Sequence, residues 1–165
     1  MKALIIYHSK TGNTKSIAEI IAKQLETEAI PVNLLEKKGR GTQEEQEKEK
    51  ELFAEALNKC KNYDIIVIGT PTSFQNAHSK IIRFVKAFEC SKAALFCTYY
   101  NKIGTTLTDL KAILKERKIQ LVATCAYDNL KSGQYKELND EERKFYITKA
   151  EEFAKDCISF LSKQS

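Results

Sequence analysis

The 165 residues are 42% hydrophobic and 30% charged, with six Gly and two Pro; this suits one compact, soluble domain over 1–165 and excludes low-complexity and fibrous classes. No apolar run nears the roughly 20 residues of a membrane span, so no membrane partner is expected. The net charge of +5 hides a local −3 in "EEQEKEKE" (44–51), leaving +8 elsewhere, which favours an anionic ligand or partner; without an Arg-rich stripe or aromatic–basic interleaving, no nucleic acid is expected.

"KALIIY" (2–7) is a continuous apolar run, as in a strand buried on both faces, and its apolar core is too short for a signal peptide. Ile17, Ala18, Ile20, Ile21, Ala22 and Leu25 then form a helical stripe. "PVNLLE" (31–36) reads as a second strand opened by Pro31, near a sheet edge, and "KKGRGTQ" as a loop. A charged helix is expected from Glu44 to about Asn62, burying Leu52, Phe53, Ala56, Leu57 and Cys60, with the charge run as its solvated first turns. "DIIVIGT" (64–70) is the clearest strand; the loop "PTSFQNAHS" leads to a helix with Ile81, Ile82, Val85 and Phe88 on one face. "KAALFCT" (92–98) is a fourth strand, "YYNKIG" a loop, and Leu107, Leu110, Ile113 and Leu114 mark a fourth helix. "IQLVATCAY" (119–127) is a fifth strand; a loop at 128–139 reaches a last helix, for which Asn139 and Glu142 make a capping box. The five cysteines form no CxxC and no zinc pattern, and read as buried free thiols in a reducing cytoplasm.

Five strands alternating with five helices imply right-handed βαβ units, hence a parallel sheet covered on both faces: a three-layer α/β/α sandwich. Ligands of such sheets sit outside the C-terminal strand ends, so function is expected in loops 8–14, 71–78, 99–106 and 128–139.

The first of these loops, "YHSKTGNTKS", places Ser9, Lys10, Thr11, Gly12, Asn13 and Thr14 at a helix start. Hydroxyls, an amide and free N–H groups there form either an anion site or an ordinary strand-to-helix turn. A P-loop is excluded because "GNTKS" lacks the Gly frame, and a GxGxxG fingerprint is absent. The loop also lacks the nucleophilic Cys and closing Arg of a low-molecular-weight phosphatase. Asp64 begins its strand rather than ending it, which excludes a receiver domain.

"YHSKTGNTKSIAEII" resembles the signature of the flavodoxin family, Ser/Thr-x-Thr-Gly-x-Thr after the first strand, and the β/α units follow in that family's order and size. The resemblance implies a flavodoxin-like, short-chain fold with strand order 2-1-3-4-5, and FMN as cofactor. Its phosphate would lie in the loop of Ser9, Lys10, Thr11, Gly12, Asn13 and Thr14. Its ring would lie between Pro71, Thr72, Ser73 and Phe74 on one side and Thr98, Tyr99, Tyr100, Asn101, Lys102 and Gly104 on the other. Phe74 and one of Tyr99 and Tyr100 are expected to stack on it. His8 is expected to be a local hydrogen-bonder, and His78 a solvent-facing first-turn residue. No catalytic residue and no metal ligand is assigned.

Shuttle flavodoxins are acidic, whereas these loops contain no Asp or Glu and Lys10, Lys80, Lys102 and Lys131 lie on or near the rim. The first flavin loop also has no Gly for a peptide flip; Asn76 is the expected left-handed substitute. These departures favour an FMN-dependent oxidoreductase that takes electrons from NAD(P)H or a reductase and passes them to a small acceptor. An electron carrier docking an acidic redox partner protein is the alternative, and a flavin-free binding domain the third. A cytoplasmic location is expected.

Overall fold

The computed structural model describes residues 2–34 and 39–163. In chain order the elements are β1 (Ala3–Tyr7), α1 (Asn13–Gln24), β2 (Ala29–Pro31), α2 (Gln43–Cys60), β3 (Ile65–Ser73), β4 (Asn76–Ala77), α3 (Ser79–Ala87), β5 (Lys92–Thr98), α4 (Thr106–Glu116), β6 (Gln120–Tyr127), a 3-10 turn (Gln134–Glu137) and α5 (Asp140–Ser162). The parallel order is β2-β1-β3-β5-β6, and β4 only folds back antiparallel on the end of β3. With that hairpin strand uncounted, the order is the expected 2-1-3-4-5.

The continuous apolar runs are explained by burial on both faces. Odd positions of β1 and β3 (Ile5, Val67) pack with Phe96 against α1 and α5. Even positions (Leu4, Ile6, Ile66, Ile68) pack with Leu95 against α2, α3 and α4. Gly69 is required by close approach: a Cβ there would lie 2.1 Å from the Phe96 ring on the neighbouring strand. The Asn139 capping box forms reciprocally, with Glu142 N–H donating to Asn139 Oδ1 and Asn139 N–H to the Glu142 carboxylate, both at 2.9 Å. All five cysteines are free. No helix among the described residues is long and apolar enough to cross a membrane.

Three boundaries differ from the sequence reading. β2 ends at Pro31 rather than beginning there: Val32 N–H still reaches Tyr7 O at 2.9 Å, but the chain then bends and Asn33 is drawn to Ser9; Leu35 and Glu36 lie outside the described residues. β3 runs three residues beyond Thr70, and the expected loop 71–78 is largely a hairpin. α2 begins at Gln43 with Thr42 as its cap, in a capping box with Glu45.

Candidate cofactor site

β1 ends at Tyr7, though His8 N–H still reaches Gly69 O at 3.1 Å. Ser9 is held by Asn33, whose Oδ1 accepts from Ser9 N–H (3.0 Å) and whose amide donates to Ser9 O (2.7 Å). Ser9 Oγ in turn accepts from the N–H groups of Gly12 and Lys15, both at 3.2 Å. Gly12 has φ 101°, left-handed backbone that a side chain would strain, and the space where its Cβ would stand is open. α1 starts at Asn13 with no side-chain cap and no acidic residue in its first turn, although Asn13 and Thr14 are buried. First-turn N–H groups have no intrahelical acceptor, so a buried, uncapped helix start calls for an anion.

The far wall of this loop comes from the C-terminal third of the chain. Thr11 Oγ1 accepts from Gly133 N–H at 2.9 Å, and the Thr14 and Thr98 hydroxyls lie 2.8 Å apart. The Asn13 amide donates to Lys131 O (2.7 Å) while its Oδ1 accepts from Tyr135 N–H (2.9 Å). The Asn13 side chain is therefore a brace. Ser9 and Thr11, with oxygens already accepting from backbone donors, keep their O–H protons to give outward. That is the donor polarity a phosphate needs.

The second wall is the hairpin. Its turn residues Phe74 (φ 49°) and Gln75 (φ 64°) are both left-handed, as a two-residue turn between twisted strands demands. This corrects the expectation for Asn76, which sits in β4 and donates its amide to Phe74 O at 2.9 Å. Phe74 is 97% exposed at the tip. Pro71, Thr72 and Ser73 lie in β3 below it.

The third wall, after Thr98, is clamped to the hairpin. Gln75 O accepts from Thr105 N–H at 2.8 Å, and a Cβ on Gly104 (φ 57°) would stand 2.0 Å from that same oxygen. The Thr72 and Thr106 hydroxyls are 2.9 Å apart. Tyr99 is half-buried and exchanges backbone bonds with Tyr127 and Leu130. Tyr100 is 44% exposed, with Lys131 Nζ 5.2 Å from its ring centroid. Asn101 is left-handed (φ 63°), and Lys102 N–H bonds Tyr100 O at 2.8 Å. All three predicted loops thus meet at one end of the sheet.

The sequence reading missed a cluster beside them. His8 continues the even stripe of Leu4 and Ile6 toward the α2–α3 layer and is only 5% exposed. His78 caps α3, its Nδ1 accepting from Lys80 N–H at 3.2 Å, and the two imidazoles stack with centroids 3.6 Å apart and planes 13° apart. Neither expectation survives: His78 is half-buried rather than solvent-facing, and His8 Nδ1 is buried with no hydrogen-bond partner among the described residues. Burial, then His78, Lys80 and Lys10, push the His8 pKa down to about 3; burial lowers that of His78 too. Lys80 leaves the rim to pair with Glu49, whose other oxygen accepts from Leu34 N–H at 3.0 Å. Glu49 had been hidden in the charge run, yet it lies four residues before Phe53 on the buried stripe. That spacing was the available signal.

Three of the thiols are poor nucleophiles: burial raises Cys60, Cys97 and Cys157 to about 12.

No curated protein sequence matches the chain. Among solved structures it is similar to the metal-soaked flavodiiron core from Synechocystis sp. PCC6803 (TM-score 0.68, 17% identity, 99% of this chain and 36% of that one). It is also similar to two-electron reduced Megasphaera elsdenii flavodoxin (TM-score 0.62, 16% identity, 94% and 97%). A third is a flavoprotein in complex with FMN from Lactobacillus acidophilus NCFM (TM-score 0.54, 18% identity, 76% and 92%). The chain thus spans about a third of the flavodiiron chain it matches. The family model described as a flavodoxin domain matches residues 4–108, and the uncapped buried helix start with its outward hydroxyl donors fits the phosphate of FMN. The chain belongs to the flavodoxin domain family and is an FMN-binding redox protein.

Proposed function

We propose that this protein is an FMN-dependent oxidoreductase that accepts electrons from a reduced pyridine nucleotide or a reductase and hands them to a small acceptor. The observation that carries this reading is the charge of the site: loops 71–78 and 99–106 hold no Asp or Glu, while Lys10, Lys102 and Lys131 border them. FMN, when bound, supplies a ring that takes up electrons and protons. The protein's part is to hold it and set its surroundings. The Ser9 and Thr11 hydroxyls and the first-turn N–H groups of Asn13 and Thr14 would donate to the phosphate, with Lys10 adding charge. Phe74 and one of Tyr99 and Tyr100 would flank the ring, each contact adding about 0.5–1.5 kcal/mol beyond burial. Backbone groups of Thr72, Ser73, Asn101, Lys102 and Gly104 would meet its polar edge. The lysines favour the negative charge that reduction adds, which raises the potential; acidic loops act in the opposite sense.

The test is an anaerobic absorbance titration of the FMN-loaded protein with NADPH and NADH. Single-step bleaching at catalytic rates is expected; reduction that halts at a stable one-electron stage, whichever donor is used, overturns this reading. That result would favour an electron carrier docking an acidic protein partner, a reading supported by the 97% exposed Phe74 at the edge of a cationic rim.

A further inference from the structure

The His8–His78 stack is unexplained by the FMN site. It lines a cavity of about 390 Å³ on the other side of the first loop, between the end of β1, the bend after β2, α2 and the start of α3. Among the described residues, Lys10, Arg40 and Lys80 line it with the carboxylate of Glu49, and Asn33 and Gln46 are polar neighbours. Thr11, Gly12 and Thr14, the heart of the FMN cradle, are not among its lining residues. Its floor holds the buried Nδ1 of His8, with no partner among the described residues. A second hollow of about 370 Å³ shares Gln46, Glu49 and Lys80 and runs on past Phe53 and Arg83, giving room for the body of a ligand anchored in the first.

We propose that this cavity is a second ligand site, separate from the FMN cradle, that takes the phosphate group of a small phosphorylated molecule through Arg40, Lys80 and the His8–His78 pair. Among the described residues, three cations around one carboxylate leave an excess positive charge that an oxyanion neutralises, and the stacked imidazoles become donors to it when they take up protons. Because the same lysines that repel protons from the stack attract the anion, occupancy and imidazole protonation are linked: a bound phosphate favours the charged histidines. The inference rests on the apo geometry alone and stands whichever redox role the flavin serves.

His8 and His78 are the only histidines in the chain, so their imidazole C–H resonances in an NMR pH titration report on this cavity alone. Inorganic phosphate, NADP+ and NAD+ are each titrated into the FMN-loaded protein. Saturable shifts are expected, with both histidine pKa values raised by about one unit or more, and with the response lost in Arg40→Gln and Lys80→Gln while FMN absorbance is unchanged. A much stronger response to NADP+ than to phosphate identifies a nucleotide as the source of the group; equal responses identify free phosphate. The proposal is overturned if the resonances fail to respond saturably to any of the three, if both variants respond like the parent, or if phosphate acts by expelling FMN. Arg40 is exposed, so its replacement separates loss of binding from loss of fold.

Discussion

The two sides of the first loop are built on opposite plans. On the side of Ser9, Thr11 and Thr14, every hydroxyl is fixed by another protein group, and the helix start behind them is buried and open to an anion. On the side of His8, one residue earlier, a buried nitrogen has no partner among the described residues, and its ring leans on a second imidazole near two lysines. The first plan preorganises a site for a ligand whose charge the helix dipole welcomes. The second stores a penalty in the folded state, the pattern found where stability yields to a task.

The largest expected effect breaks the first side. Ser9→Ala with Thr11→Val should weaken FMN by about 3 kcal/mol, roughly a hundredfold, because two hydroxyl donors to a charged phosphate are lost. Riboflavin affinity should change little, as judged by fluorescence quenching; equal losses would place the phosphate elsewhere. Gly104→Ala should lower FMN affinity and stability by about 2 kcal/mol, through left-handed strain and collision with Gln75 O. An unshifted melting temperature would mean the hairpin clamp gives way easily. His8→Phe should stabilise the protein by about 1 kcal/mol, since an apolar ring replaces an unsatisfied one. The smallest effect is expected from Gln75→Gly, a gain of a few tenths to about 1 kcal/mol from relief of its φ of 64°.

His8→Phe carries a pH signature as well. The folded pKa of His8 lies near 3, below its unfolded value near 6.5. The unfolded chain therefore binds the proton first as pH drops. Stability is full above about 6.5 and is lost progressively as pH falls toward 3; His78 acts in the same sense. Denaturant melts of His8→Phe should show a shallower slope across that window. An unchanged slope would assign the acid sensitivity to other groups.

Most of the fold was legible because its strands announce themselves: β1, β3 and β5 are apolar runs buried on both faces, β6 is an apolar run along the sheet edge, and Asn139 with Glu142 marks a helix start by spacing alone. The loop proposed to hold the phosphate could be named from the sequence because its hydroxyls and Gly12 lie within six consecutive residues. The illegible parts depend on partners distant in sequence. Nothing local in "TSFQNA" signals a hairpin, because Phe74–Gln75 lacks the Asn-Gly or Gly-Gly that usually supplies two left-handed residues; the clamp to Gln75 O comes from residue 105. β2 was misplaced because Asn33 is drawn off to Ser9 instead of pairing along the sheet. The imidazole stack joins residues 70 positions apart, and neither His is unusual in its own neighbourhood.

The braces on Thr11 and Asn13 have a consequence for the order of events in the life of the chain. The cradle opens at residue 9, yet its bracing donors and acceptors sit at Lys131, Gly133 and Tyr135, beyond the segment that the family model matches. As the chain is synthesised from its N-terminus, β1, α1 and the hairpin are in place long before those braces exist. The loop proposed to hold the phosphate is therefore braced late, after β6 has been laid down.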